Sequence, residues 1–289
     1  MSRLLGEVGR RPVLVLSVGG VLASWAVLLL PSWWWPGLVP VPVLVLGATW
    51  GVLLPGALLV TGAADGAGGV RRLLRSAAGW PRQSGRRRVL LLLLALPTSA
   101  LGAGLLTGGR LVRPSPGAVM GELLALVSAF LVIHLAEEAV WTGVVQHRLS
   151  QHHHPVVAAV LTTAPFTAVH LPLLVVPGVT AGRLLTGLGG LLVLALVVRL
   201  LLATVAPDAR CVLPAALLHA VFNASANEGR LLDHVLVGPH VNLLGTAAAL
   251  LVAVVALVPA ERRRRSRPPS PRSSLRDAAP ATIREPASS

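Results

Sequence analysis

The sequence predicts an all-α protein, a polytopic transmembrane helical bundle of about eight membrane helices, and three observations predict it. Of 289 residues, 54% are hydrophobic and 12% charged, with a mean hydropathy of +0.75, which is more apolar side chain than a water-solvated fold can cover. The apolar residues gather in runs long enough to cross a hydrocarbon core of about 30 Å as helices. The net charge of +14 comes from basic residues that are all arginine, and these lie between and beyond the apolar runs. That placement reads as membrane topology and argues against a nucleic-acid partner, which would call for a basic stripe on one face.

The first run, Val13 to Leu30, follows Arg3, Arg10 and Arg11. A signal peptide would share that basic start, but the stretch is too long and lacks a small-residue cleavage site, so it is expected to persist as a membrane anchor. Trp33, Trp34 and Trp35 follow it as an interfacial belt,. The second run, Leu38 to Val60, leads into Thr61 to Arg88, which reads as a Gly- and Arg-rich cytoplasmic loop with a short interfacial helix around Val70 to Ala78. Further runs cover Val89 to Thr107, Ala118 to Val145, Val156 to Val176, Leu184 to Val205, Val212 to Ala226 and Val241 to Val258. The seventh is short and polar. Residues 1–260 are therefore expected to form one helical membrane domain. From Glu261 the chain reads ERRRRSRPPSPRSS, a composition that cannot bury a core, so residues 261–289 are expected to be a disordered cytoplasmic tail against anionic lipid.

With eight crossings and a cytoplasmic N-terminus, twenty arginines fall inside: three before Val13, seven from Arg71 to Arg88, Arg148, Arg210 and eight from Arg262 onward. Arg110, Arg113, Arg183 and Arg230 face outward and Arg199 lies within a helix. This asymmetry obeys the positive-inside rule and puts both termini of a multi-pass cell-membrane protein in the cytoplasm. A single cysteine, Cys211, leaves no internal disulfide framework and no multi-cysteine metal site.

Polar residues inside the membrane carry the functional signal. The fourth run contains LVIHLAEEAVWTGVVQHRL, with Glu137 and Glu138 well inside it. An ionised carboxylate at a membrane helix centre costs about 2.5 to 3.5 kcal/mol. Two side by side demand partners, and a functional site is the first explanation, with a polar clamp between helices as the alternative. His134 shares their face one turn away, as a partner or a packing donor. The fifth run carries Phe166 and His170 in TTAPFTAVHLP, and the seventh carries His219 and Asn223 in LLHAVFNAS, on one helical face,. Polar groups converging from three helices are how a bundle builds a wet site in a dry interior.

The EE of Glu137 and Glu138, the FxxxH of Phe166 to His170 and the HxxxN of His219 to Asn223 resemble the three signature motifs of the CPBP intramembrane proteases. That family includes the type II CAAX prenyl proteases and bacteriocin-processing or immunity proteins. The resemblance covers about residues 118–226. The chain departs from the family pattern EExxxR, with Thr142 at the arginine position and Gly143 after it. Glu138 then lacks the cation one turn away. Arg199 is expected to snorkel to the cytoplasmic surface, with substitution for the missing arginine as the alternative.

The resemblance implies an intramembrane endopeptidase acting on a peptide or membrane-protein substrate, with Glu137 as general base, strengthened by burial and by the like charge of Glu138. By the same resemblance Glu138 orients and supports, His170 holds the water, and His219 and Asn223 donate to the tetrahedral oxyanion. No cofactor is implied. Zinc held by Glu137, Glu138, His170 and His219 is the minority alternative, since neither HExxH nor HxxEH is present,. His152, His153 and His154 read as a loop feature. Two other functions compete: a catalytically impaired scaffold or immunity protein of the same fold, favoured by Thr142, and an ion-coupled transporter, against which stands the lack of an inverted repeat.

Overall fold

A computed structural model describes residues 8–9, 11–35, 37–81, 83–175, 180–205, 212–226, 231–238 and 245–255. Six helices in it are long and apolar enough to cross a membrane. They are α1 (Pro12–Trp34), α2 (Val41–Ala77), α3 (Gly85–Leu106), α4 (Pro116–His152), α5 (Pro155–Leu174) and α6 (Ala181–Ala203). Two shorter apolar helices follow, α7 (Val212–Ala226) and α8 (Gly245–Val255). The eight correspond one for one to the eight apolar runs, and the protein is an all-α, multi-pass membrane bundle. Arg210, Cys211, Arg230 and the tail from Glu261 lie outside the described residues.

The stretch expected to be a loop after Val60 is largely helical instead. α2 continues through it to Ala77, broken once at Gly66, whose φ of 67° only glycine adopts readily,. The Gly-rich composition had suggested irregular chain, yet beyond Gly66 the residues Val70, Leu73 and Leu74 recur at helical spacing beside Arg71, Arg72 and Arg75,. Leu73 and Gly69 are buried there. The expected short helix near Val70 is thus the end of α2.

Lipid replaces water around the bundle. Leu22, Leu91, Leu94, Met120, Leu124 and Leu185 are exposed large apolar residues, a pattern that would aggregate a soluble protein and that a hydrocarbon solvent requires. Trp33 and Trp34 are 70% and 67% exposed at the end of α1, where indole rings favour the interface. At one end of the bundle Arg148 of α4 pairs with Asp65 of α2 at 2.6 Å. At the other, a two-stranded ladder joins Arg110–Leu111 (β1) to Leu236–Val237 (β2), antiparallel, and His234 stands 3.6 Å from Glu122 of α4.

Two large apolar clusters hold the helices together, with a smaller one of Leu28, Leu44 and Ala48 between α1 and α2. One draws Leu16 and Val21 of α1, Leu53 and Val60 of α2, Val140 and Trp141 of α4, Phe166 of α5, Ala195 of α6 and Val212 of α7 into contact. The other joins α3, α6, α7 and α8 through Leu96, Val198, Leu202, Leu218, Phe222 and Ala253. The middle of α4 lies against α2 and α7, and α5 runs along α6. The Cβ of an alanine at position 143 would come within 2.7 Å of Leu73 and 3.0 Å of Val212. Glycine is therefore the residue that lets α2 and α7 both close on α4 at this level.

Candidate active site

The coil of α4 changes where it meets the core. Phe130–His134 and Trp141–Gln146 are π-helical, and between them Leu135–Val140 is α-helical. Each widened segment shifts the side chains that follow away from the faces that 3.6-residue spacing would give them. The intervening LAEEAV turns inward as a block, and Ala136, Glu137, Glu138, Ala139 and Val140 are all buried. Two carboxylates in such a place need compensation from neighbouring helices, and each receives a different kind.

Glu138 is fully buried and fully partnered. Arg199 of α6 donates from Nη2 to Oε1, His219 of α7 donates from Nδ1 to the same oxygen at 2.8 Å, and Thr142 donates from Oγ1 to Oε2. Arg199 Nη1 also donates to Thr142 Oγ1 at 3.3 Å, and its Cζ lies 4.4 Å from the Phe166 ring centroid. Arg199 is 0% exposed, so the expected snorkelling does not occur. Although it lies only about one turn before the end of α6, its side chain turns into the bundle, where an anion waits beside it,. The like charge expected to strengthen Glu137 is offset for the same reason, because Arg199 neutralises Glu138.

Glu137 meets imidazoles and a cavity. His134 Nδ1 stands 3.2 Å from Oε2, and His170 Nε2 stands 3.6 Å from Oε1. His170 Nδ1 donates to the Phe166 carbonyl at 2.7 Å, so in the neutral ring the nitrogen facing Glu137 carries a lone pair. The Asn223 amide reaches His134 Nε2 at 3.3 Å, and the His134 and His219 rings stack at 4.2 Å. The cavity beside Glu137 and His170 is walled by Leu28 of α1, by Val45, Ala48, Thr49 and Leu53 of α2, and by Val169 and Leu173. It has about 20 Å³ of room for the centre of a water-sized sphere, enough to admit a water.

Helices α4, α5 and α7 therefore bring Glu137, Glu138, His170, His219 and Asn223 to one locus, and α6 adds Arg199. Comparison with known proteins bears on what that locus is. Residues 119–225 match the family model described as Type II CAAX prenyl endopeptidase Rce1-like. The match is to a protease family. No curated protein and no solved structure matches the chain. The Rce1-like segment contains all three motifs and agrees with the CPBP resemblance over nearly the same residues.

Within the Rce1-like segment two residues carry more of the site than their sequence context suggested. Arg199 had the signal of a cation in an apolar run, but its partner lies 61 positions away, and only the rotation of α6 reveals the pairing. His134 had the right face and no neighbour to identify its role. In the structure it links Glu137 to Asn223 and so joins α4 to α7. His134, Glu137 and His219 also offer one ligand atom each, all within 4.8 Å of one another. This donor set differs from the one expected for zinc, since His134 enters it and Glu138 is engaged by Arg199. Both imidazoles have polar partners on their other nitrogens, as metal-binding histidines do,.

Proposed function

We propose that this protein is an intramembrane endopeptidase in which Glu137 activates a water for attack on a peptide bond. One observation carries the reading: of two adjacent buried glutamates, Glu138 is held away from the cavity by Arg199, Thr142 and His219, whereas Glu137 faces that cavity and two histidines. Glu137 Oε1 and His170 Nε2 are two acceptors 3.6 Å apart. A water in the cavity donates to both and is held with its lone pairs towards the substrate.

In the proposed step Glu137 takes a proton from that water as its oxygen bonds to the carbonyl carbon. The tetrahedral oxyanion is met by the Asn223 amide N–H and, once the ring is protonated, by His219 Nε2. The C–N bond then breaks as the proton held between Glu137 and His170 passes to the leaving nitrogen. His134 keeps Glu137 oriented through Oε2, and Glu138 fixes the His219 ring. The substrate is a peptide or membrane protein, approached with both termini of the enzyme in the cytoplasm.

The Glu137→Gln variant tests the assignment. It is expected to insert and fold as the wild type does while cleavage of a membrane-spanning reporter peptide falls to background; turnover retained by the purified variant would remove Glu137 from this role. The His134, Glu137 and His219 donor set supports a second reading, in which a divalent ion polarises the water. Exhaustive chelation that abolishes cleavage, with recovery on adding zinc alone, would favour it, and cleavage that survives chelation would discard it.

A further inference from the structure

We propose that Arg199 is a positioning residue for the glutamate pair: from α6 it supplies the countercharge that the EExxxR pattern places on α4, and Thr142 is the hydroxyl bridge that makes the exchange possible. The proposal rests on the peptidase reading of Glu137. Position 142 lies one turn from Glu138 and holds a side chain short enough to leave room there. Arg199 fills that room from the neighbouring helix, donating to both Glu138 and Thr142 with no exposed surface. Phe166 lies under the guanidinium plane, and Gln146 Nε2 donates to the Arg199 backbone carbonyl at 3.3 Å. A planar fork held on both sides in this way sets the carboxylate orientation as a flexible ammonium would not.

The effect reaches the chemistry through two residues. Arg199 fixes Glu138, and Glu138 accepts from His219 Nδ1, which leaves Nε2 as the His219 nitrogen for the proposed oxyanion contact. Two guanidiniums at positions 142 and 199 would crowd one carboxylate, and none would leave a buried anion without its countercharge. The two positions are therefore alternatives, and reciprocal rescue is the signature of that relation.

The experiment compares wild type with R199L, R199K, T142R, the double variant T142R/R199L and E137Q. The purified full chain is used, with a quenched-fluorescence peptide bearing an apolar membrane-spanning segment and with thermal unfolding in detergent. R199L is expected to lower kcat by at least about tenfold with KM within about twofold, the pattern of a group acting on the transition state. R199K should fold and remain below wild type in kcat, because it returns the charge without the fork. T142R alone should lose activity, and T142R/R199L should exceed R199L in both kcat and unfolding temperature. If R199L does not fold, folding of the double variant is the rescue. Wild-type kcat in R199L while E137Q is inactive would overturn the proposal, as would a double variant no better than R199L. If E137Q remains active, Glu137 loses its role, and if the wild type does not cleave, the peptidase reading falls; in either case unfolding temperatures alone decide Arg199: a double variant above R199L upholds the exchange, and one that is not above it ends it.

Discussion

Glu137 and Glu138 follow each other in the chain, and helical geometry turns their side chains about 100° apart, so each meets a different part of the bundle. On the Glu138 side the partners are Arg199 of α6, His219 of α7 and Thr142 of α4 itself, with no exposed surface. On the Glu137 side they are imidazoles and a small cavity between α1, α2 and α5. The same residue type is thus an ion-paired group in one direction and, on the proposed reading, the base in the other. What separates them is the supply of donors: Glu138 has three and no exposed surface, whereas Glu137 borders a space that admits a water,.

That contrast can be broken by exchanging its consequences. The Glu137→Gln variant should lose cleavage by three or more orders of magnitude, about 4 kcal/mol in the barrier, with little change in unfolding temperature. Glu138→Gln should reverse the pattern in stability, costing about 3 to 5 kcal/mol, because it leaves the Arg199 guanidinium buried without its anion; chemical denaturation of the two variants side by side measures it. Equal destabilisation by both would erase the distinction. Thr142→Val, which keeps the shape and removes the hydroxyl bridge, should cost about 1 to 3 kcal/mol in the same assay. The smallest effect is expected from Gly143→Ala, where a helix-propensity gain of about 1 kcal/mol opposes the close approach of Leu73 and Val212,. A net change within about 1 kcal/mol there, read from unfolding midpoints, would localise the sensitivity of α4 to its polar face.

The helices were legible because lipid-spanning runs announce themselves by length and hydropathy, and Glu137 and Glu138 because charge inside such a run is costly. His170, His219 and Asn223 were legible as spaced pairs. Arg199 was legible only as the less favoured alternative, for a physical reason: its direction follows from how α6 rotates against α4, and periodicity in a helix so uniformly apolar offers little face to read. The two π-helical segments of α4 were equally silent, since backbone widening has no residue signature in FLVIH or WTGVVQ,. The end of α2 was misread as loop because its glycines count against helix while Gly66 in fact confines the irregularity to one residue.

The cavity wall has a consequence of its own. Leu28, Val45, Ala48, Thr49 and Leu53 all precede residue 119, where the protease-family match begins, so the matched segment holds Glu137 and His170 while most of the wall around their cavity comes from outside it. The two parts can therefore change separately: substitutions among these five side chains on the leading helices would reshape the space beside Glu137 and leave both glutamates untouched.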